Sequence, residues 1–269
     1  MKFFNRYTTT AIFASMILLS GCDDPGGGTV PNQPSQTVGS GGSIRGRVRL
    51  QGDAPKPADD KIAQDQKTCG DSVSLPRIAL GKDNGVQNTF VILEGAPDTS
   101  RPAATTQSVL IDQKSCQYTP HAMIVPLNSK VEITNSDPIL HNVHGTQEGS
   151  SVFNYAQARQ GERSTVDMTM TKPGIITLTC EAGHPWMNAF VYVTPHPYVA
   201  LTDSNGEFVI KDVPPGTYTL KIWHEGVTLQ DINRKLQVFR YEDPYELTQQ
   251  VTVTANSETA ANFDLALRK

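Results

Sequence analysis

Cysteine, histidine and aromatic side chains are scarce in this 269-residue chain: four cysteines, six histidines and 7% aromatic residues. Six histidines are too few to furnish both a mononuclear metal centre and a separate three-metal cluster. Charge is also sparse, at 19% of residues, and basic residues are not in excess: 23 Lys and Arg face 27 Asp and Glu, a formal net charge of −4. Nothing electrostatic therefore draws the chain to nucleic acid. Long apolar runs are missing as well; Ala11 to Leu19 is too short to cross a bilayer as a helix. No Ser-His-Asp set or paired carboxylates stand out, so no hydrolytic enzyme is indicated. What is plentiful is turn chemistry. The 21 glycines and 18 prolines favour short strands and many turns over long helices, and the expected fold class is all-β. The length suits one large or two modest domains.

The N-terminus carries an export pattern. Lys2 and Arg6 precede the short apolar run, and Leu19-Ser20-Gly21-Cys22 follows. This resembles the bacterial lipobox. It implies a leader over 1–21, a lipidated Cys22, and an exported chain anchored to a bacterial membrane and facing the periplasm or cell exterior. Residues 22–43, rich in Gly, Pro and Ser, read as a flexible linker.

With Cys22 assigned to lipid, Cys69, Cys116 and Cys180 remain, and three cannot all pair. Cys69 and Cys116 lie in loop-like surroundings and are expected to form a disulfide in an oxidising compartment. Cys180 is left over, and its neighbours suggest why. Pro173-Gly174 marks a turn, the next six residues read as a strand, and the loop Cys180-Glu181-Ala182-Gly183-His184-Pro185-Trp186-Met187 precedes a further strand at Ala189 to Val193. One loop thus offers a thiolate, an imidazole and a thioether. Upstream, a strand at Val131 to Thr134 and the turn Asn135-Ser136-Asp137-Pro138 lead to His141, which can close the site from a neighbouring loop. Two histidines, a cysteine and a weak axial methionine form the ligand set of a mononuclear electron-transfer copper centre. Structural zinc prefers four strong ligands. The candidate ligands are therefore His141, Cys180, His184 and Met187, holding one copper ion of type 1.

From Cys116 to Thr194 the sequence resembles a small cupredoxin of the amicyanin and plastocyanin kind. Tyr118-x-Pro120, Asn135, His141-Asn142-Val143-His144, Pro173-Gly174 and Cys180 to Met187 fall in that family's order. The resemblance implies a Greek-key β-sandwich, and it implies that Asn142 bonds to the ligand loop. The loop departs from the family by one residue: Glu181, Ala182 and Gly183 separate Cys180 from His184, where the relatives have two. His144 reads as a surface residue, His121 as a neighbour of the site or a surface residue, and His196 and His224 as structural or interdomain contacts. Pro185 and Trp186 read as an apolar docking patch for a redox partner, with core packing an equal alternative for Trp186.

The flanks read as β structure too. Ile44 to Leu50 alternates apolar and basic residues, as a half-buried strand does, and Asn88 to Leu93 reads as another strand. Residues 44–195 are grouped as the cupredoxin domain with an N-terminal β extension, its core at 116–195. Beyond it, Asn205-Gly206 and Pro214-Pro215-Gly216 are turn signals between alternating segments, and strands are expected at Gln249 to Thr254 and Ala261 to Leu267. Residues 196–269 resemble the carboxypeptidase regulatory-like domain, a small non-catalytic β-sandwich. The expected function is one-electron transfer between redox partners, such as a c-type cytochrome or a dehydrogenase. Copper storage or delivery, and a structural surface lipoprotein acting through its C-terminal sandwich, are the alternatives.

Overall fold

The computed structural model describes residues 41–56, 58–75, 78–97, 109–166, 172–233 and 238–268. The expected leader, Cys22 and nearly all of the linker lie outside them. The first strand begins at Gly42, two residues inside the expected linker, because Gly42 pairs with Val213 and Ser43 with Glu258.

Along the chain come β1 (Gly42–Gln51), β2 (Ala58–Lys61), the four-residue helix α1 (Gln66–Cys69), β3 (Ser72–Leu75), β4 (Phe90–Glu94), β5 (Val109–Lys114) and β6 (Gln117–Thr119). Then follow β7 (Ala122–Pro126), β8 (Val131–Asn135), β9 (His141–Gln147), β10 (Ser150–Gln157), β11 (Arg163–Val166), β12 (Gly174–Thr179) and β13 (Asn188–Thr194). The last group is β14 (Val199–Leu201), β15 (Glu207–Val213), β16 (Gly216–His224), β17 (Leu229–Asn233), β18 (Val238–Tyr241), β19 (Tyr245–Val253), β20 (Glu258–Ala260) and β21 (Phe263–Ala266). The fold is all-β. No helix among the described residues is long and apolar enough to cross a membrane.

Two sandwiches account for most of these strands. In the first, a five-stranded sheet ordered β10-β9-β12-β13-β7 faces a four-stranded sheet ordered β11-β8-β5-β6. Ile111, Val125, Ile133, Val143, Leu178 and Val191 fill the space between them. In the second, β15-β1-β20, with β21 also on β1, faces β14-β4-β16-β19. Its core includes Ile44, Val48, Leu93, Phe208, Leu220 and Leu265. A third cluster joins the two sandwiches: Phe90 and Trp223 pack against Phe190 and Tyr192. This double packing explains the sequence of β13, in which every residue is buried. Ala189, Val191 and Val193 face one core, and Phe190 and Tyr192 face the other. A strand covered on both faces loses the polar-apolar alternation of a half-exposed one.

The extension does not belong to the first sandwich as a block. Strand β1 pairs with β15, β20 and β21, and β4 pairs with β14 and β16. Alternation correctly assigns the faces of β1, with Ile44, Val48 and Leu50 buried and Arg45 and Arg49 outward. It says nothing about which strands lie alongside. The Asn205-Gly206 turn is present, with Asp203 N–H donating to the Glu207 carbonyl at 3.0 Å and Gly206 at φ 75°. Its flanking strands β14 and β15 then diverge into the two facing sheets of the second sandwich instead of forming a two-stranded ladder.

Candidate metal centre

Strand β12 ends at Thr179 and delivers Cys180 to the end of the first sandwich. The following loop is closed by its own backbone: Met187 N–H donates to the His184 carbonyl at 2.9 Å, and Cys180 N–H to the Met187 carbonyl at 3.3 Å. This turns His184 back toward Cys180. His141 is the first residue of β9, on a regular strand where a loop was expected. Because β9 is hydrogen-bonded to β12, His141 and the Cys180 loop meet at one sheet end.

The geometry is tight. His141 Nδ1 and His184 Nδ1 lie 3.2 Å apart, and Cys180 Sγ lies 4.0 Å from the former and 3.6 Å from the latter. His141 and His184 are completely buried and Cys180 is 4% exposed. The outer ring nitrogens are each held by a carboxylate. His141 Nε2 donates to Asp137 Oδ2 at 2.9 Å, and His184 Nε2 to Asp65 Oδ2 at 3.1 Å. With the protons on Nε2, both Nδ1 lone pairs face the cysteine sulfur. A trigonal ion with bonds of about 2.0–2.3 Å to nitrogen and sulfur separates its ligand atoms by about 3.5–4 Å, so this donor set fits one ion. Two imidazoles and a thiolate suit copper. Met187 is buried in the same hydrophobic cluster as Cys180.

Cys180 sits among opposing influences. Burial pushes its thiol pKa up, while backbone N–H groups of Asn142, Ala182 and His184 and the Tyr118 hydroxyl favour the thiolate. Burial also raises the Tyr118 phenol well above its ordinary range, with the charge of Cys180 adding to it. For His184, burial and then the neighbouring His141 lower the pKa, against the pull of Asp65. Asn142 does bond to the ligand loop. Its Oδ1 accepts from Glu181 N–H, and its Nδ2 donates to Asn154 Oδ1 at 2.7 Å.

Cys69 and Cys116 form a disulfide. Their sulfurs lie within 4.8 Å of a ring nitrogen of His184, but in the disulfide neither is a thiolate. Trp186 is 5% exposed, and its indole N–H donates to the Cys116 carbonyl at 3.2 Å. Of the two readings of Trp186, core packing is the one observed. His144 is held by Glu181 Oε1 at 2.8 Å and Ser151 Oγ at 2.9 Å, away from the ligand trio. His121 binds Glu225, and His224 bonds to the Glu225 carbonyl at 2.8 Å.

Sequence reasoning missed both carboxylates. Asp137 sits in the Asn-Ser-Asp-Pro turn, and turn chemistry is a sufficient local reason for an aspartate. It also accepts the N–H groups of Ser115 and Cys116, at 2.8 and 2.9 Å. Its placement four residues before His141 is the one local signal that could have found it. Asp65 is remote in sequence and gave none.

The family model for the carboxypeptidase regulatory-like domain matches residues 174–266. That segment starts at β12 and therefore takes in the Cys180 loop as well as most of the second sandwich. No curated protein matches the chain. Among solved structures, the chain is similar to a copper-containing nitrite reductase from Thermus scotoductus SA-01, at 21% identity and a TM-score of 0.28, over 37% of this chain and 26% of that one. It is similar also to a purple cupredoxin from Nitrosopumilus maritimus, at 23% identity and a TM-score of 0.28, over 32% of this chain and 99% of that one. A Cu(I) amicyanin variant is similar at 18% identity and a TM-score of 0.28, over 39% of this chain and 98% of that one. Matches this partial carry no functional argument, which rests on the site itself.

Proposed function

We propose that this chain is a cupredoxin-type copper protein that passes single electrons between redox partners. The observation that carries this reading is the convergence of His141 Nδ1, Cys180 Sγ and His184 Nδ1 within 3.2–4.0 Å in a buried site. Met187 is assigned as the weak fourth ligand. Copper bound there supplies a one-electron couple, Cu(II) to Cu(I). The chain's own residues provide a rigid and dry cradle for it. Asp137 fixes the orientation of the His141 ring, Asn142 pins the loop at Glu181, and the surrounding apolar core excludes water. Such a cradle changes little between oxidation states. With four protein ligands no position is left for a substrate, which makes the reading non-catalytic.

Export and lipid anchoring through Cys22 belong to this proposal, as does a protein redox partner such as a c-type cytochrome or a dehydrogenase. The second sandwich is assigned a scaffolding role.

The test is a Cu(II) titration of the full chain in detergent, followed by optical and EPR spectroscopy, with Cys180→Ser beside it. The expected result is an intense thiolate-to-copper visible band at one equivalent that the variant lacks. A weak signal unchanged in Cys180→Ser would refute the ligand assignment.

A further inference from the structure

The segment between β1 and β4 contains a small hairpin, β2 paired with β3 from Ala58↔Leu75 to Lys61↔Ser72, with α1 at its tip. This strap lies over the candidate metal centre. Ile62 anchors it in the core of the first sandwich, at 2% exposure. Cys69 is bonded to Cys116, in the turn just before β6. Gln64 Nε2 donates to the Ala182 carbonyl at 3.0 Å, inside the ligand loop. Opposite it stands Gly183, where an added Cβ would fall 1.6 Å from Gln64 Nε2.

Asp65 is the residue of the strap that reaches His184. It occupies the N-cap position of α1, where aspartate ordinarily accepts the helix's own N–H groups. Here its side chain caps nothing, and its backbone is left-handed at φ 56°. The carboxylate is turned instead to His184 Nε2. His184 has no solvent exposure, whereas the Asp65 side chain is 38% exposed, so the carboxylate stands between the ring edge and water.

We propose that Asp65 is a positioning residue for His184, carried in by the disulfide-stapled strap: it holds the ring with its proton on Nε2 and Nδ1 toward Cys180, and seals the ring's outer edge from solvent. The assignment of His184 as a copper ligand rests on the proposed function; the hold of Asp65 on its ring does not. Electrons entering or leaving through His184 must then pass Asp65 and the strap, not an open imidazole edge.

The test uses the metal-free full chain and its Asp65→Ala and Asp65→Asn variants, with circular dichroism confirming the fold. Imidazole 1H–15N correlation spectra report the tautomer and the exchange of the His184 Nε2 proton. The wild type is expected to show the Nε2–H tautomer with a protected proton. Asp65→Ala should exchange about tenfold faster or more. Asp65→Asn, whose amide oxygen still accepts, should restore protection. In the copper-loaded protein both variants should raise the reduction potential, because each removes a negative charge near the metal. An Nδ1–H tautomer in the wild type, or equal exchange in wild type and Asp65→Ala, overturns the proposal. A wild type lacking the thiolate-to-copper band refutes the copper reading alone, and the metal-free spectra then decide the role of Asp65.

Discussion

Removing the Cys69–Cys116 bridge should destabilise the fold measurably. The bridge closes a loop with a sequence separation of 47. In the chain-entropy treatment, a loop of that length restricts the unfolded chain by about 4 kcal/mol. For a domain of roughly 150–250 residues, each kcal/mol moves the melting midpoint by about 2–4 °C, so the expected fall is about 8–16 °C. Replacing both residues by alanine keeps new polar groups out of the core, where Cys116 is fully buried. Thermal unfolding followed by circular dichroism would compare wild type, wild type with a dithiol reductant, and the double variant. Native mass spectrometry would confirm the bridge in the oxidised wild type. Amide exchange in 58–75 should rise before that in β12 or β13, since the bridge holds the strap and the sheet has its own ladder. A midpoint shift under about 3 °C, with the bridge confirmed in the wild type, would refute the reasoning.

Other perturbations test the packing. Gly46→Ala places a Cβ 1.6 Å from the Ala261 carbonyl oxygen, so β1 must shift away from the β20–β21 segment; a loss of about 3 kcal/mol or more is expected in urea unfolding. Burial lowers the His224 pKa, so the folded state keeps the ring neutral while the unfolded chain takes up a proton below about pH 6.5. The stability contributed by keeping it neutral is therefore present above that pH and lost as the pH falls toward the folded value. His224→Gln should flatten the drop in urea midpoint between pH 7.5 and 5.5. For Glu242, burial raises the pKa, but donation from Tyr245, Thr228 and Val227 outweighs it and the net shift is downward. Its contribution is complete above the unfolded value near 4.3 and lost as the pH falls through the folded one. Glu242→Gln should cost about 1–3 kcal/mol at pH 7, measured by urea unfolding, and the difference should shrink in acid.

Local patterns revealed what is encoded locally. Alternation marks β1, turn residues bracket β12, and the soft donors around Cys180 single out that loop as the candidate metal-binding one. All of these are properties of a few adjacent residues. Contacts that depend on distant segments did not show. The partners of β1 are set by which apolar faces meet in the second core, and nothing within Ile44 to Leu50 records that choice. Trp186 was undecidable because an indole suits a surface patch and a core equally, until its N–H found the Cys116 carbonyl. Asp65 lies 119 positions from the ring that it holds. A polar stretch of loop carries no mark of such a partner, and a lone aspartate before a short helix has an adequate local explanation in capping.

The pairing of β4 with β14 bears on the order in which the molecule can assemble. Ile92 stands opposite Val199, and Phe90 opposite Leu201. The whole first sandwich is therefore spliced between two neighbouring rungs of the second, which lie about 5 Å apart. As the chain emerges from the ribosome, N-terminal end first, β1 and β4 appear early but have no partners until β14 to β21 follow. The inserted sandwich can close in the meantime, since its strands are contiguous in sequence. The enclosing sandwich must be completed last, through contacts between segments far apart in sequence, a topology that slows folding. The strap is made even before the insert, so the segment that covers His184 is waiting when the ligand loop forms. A circular permutant that joins β21 to β1 and opens the chain elsewhere would reverse that order while keeping every contact.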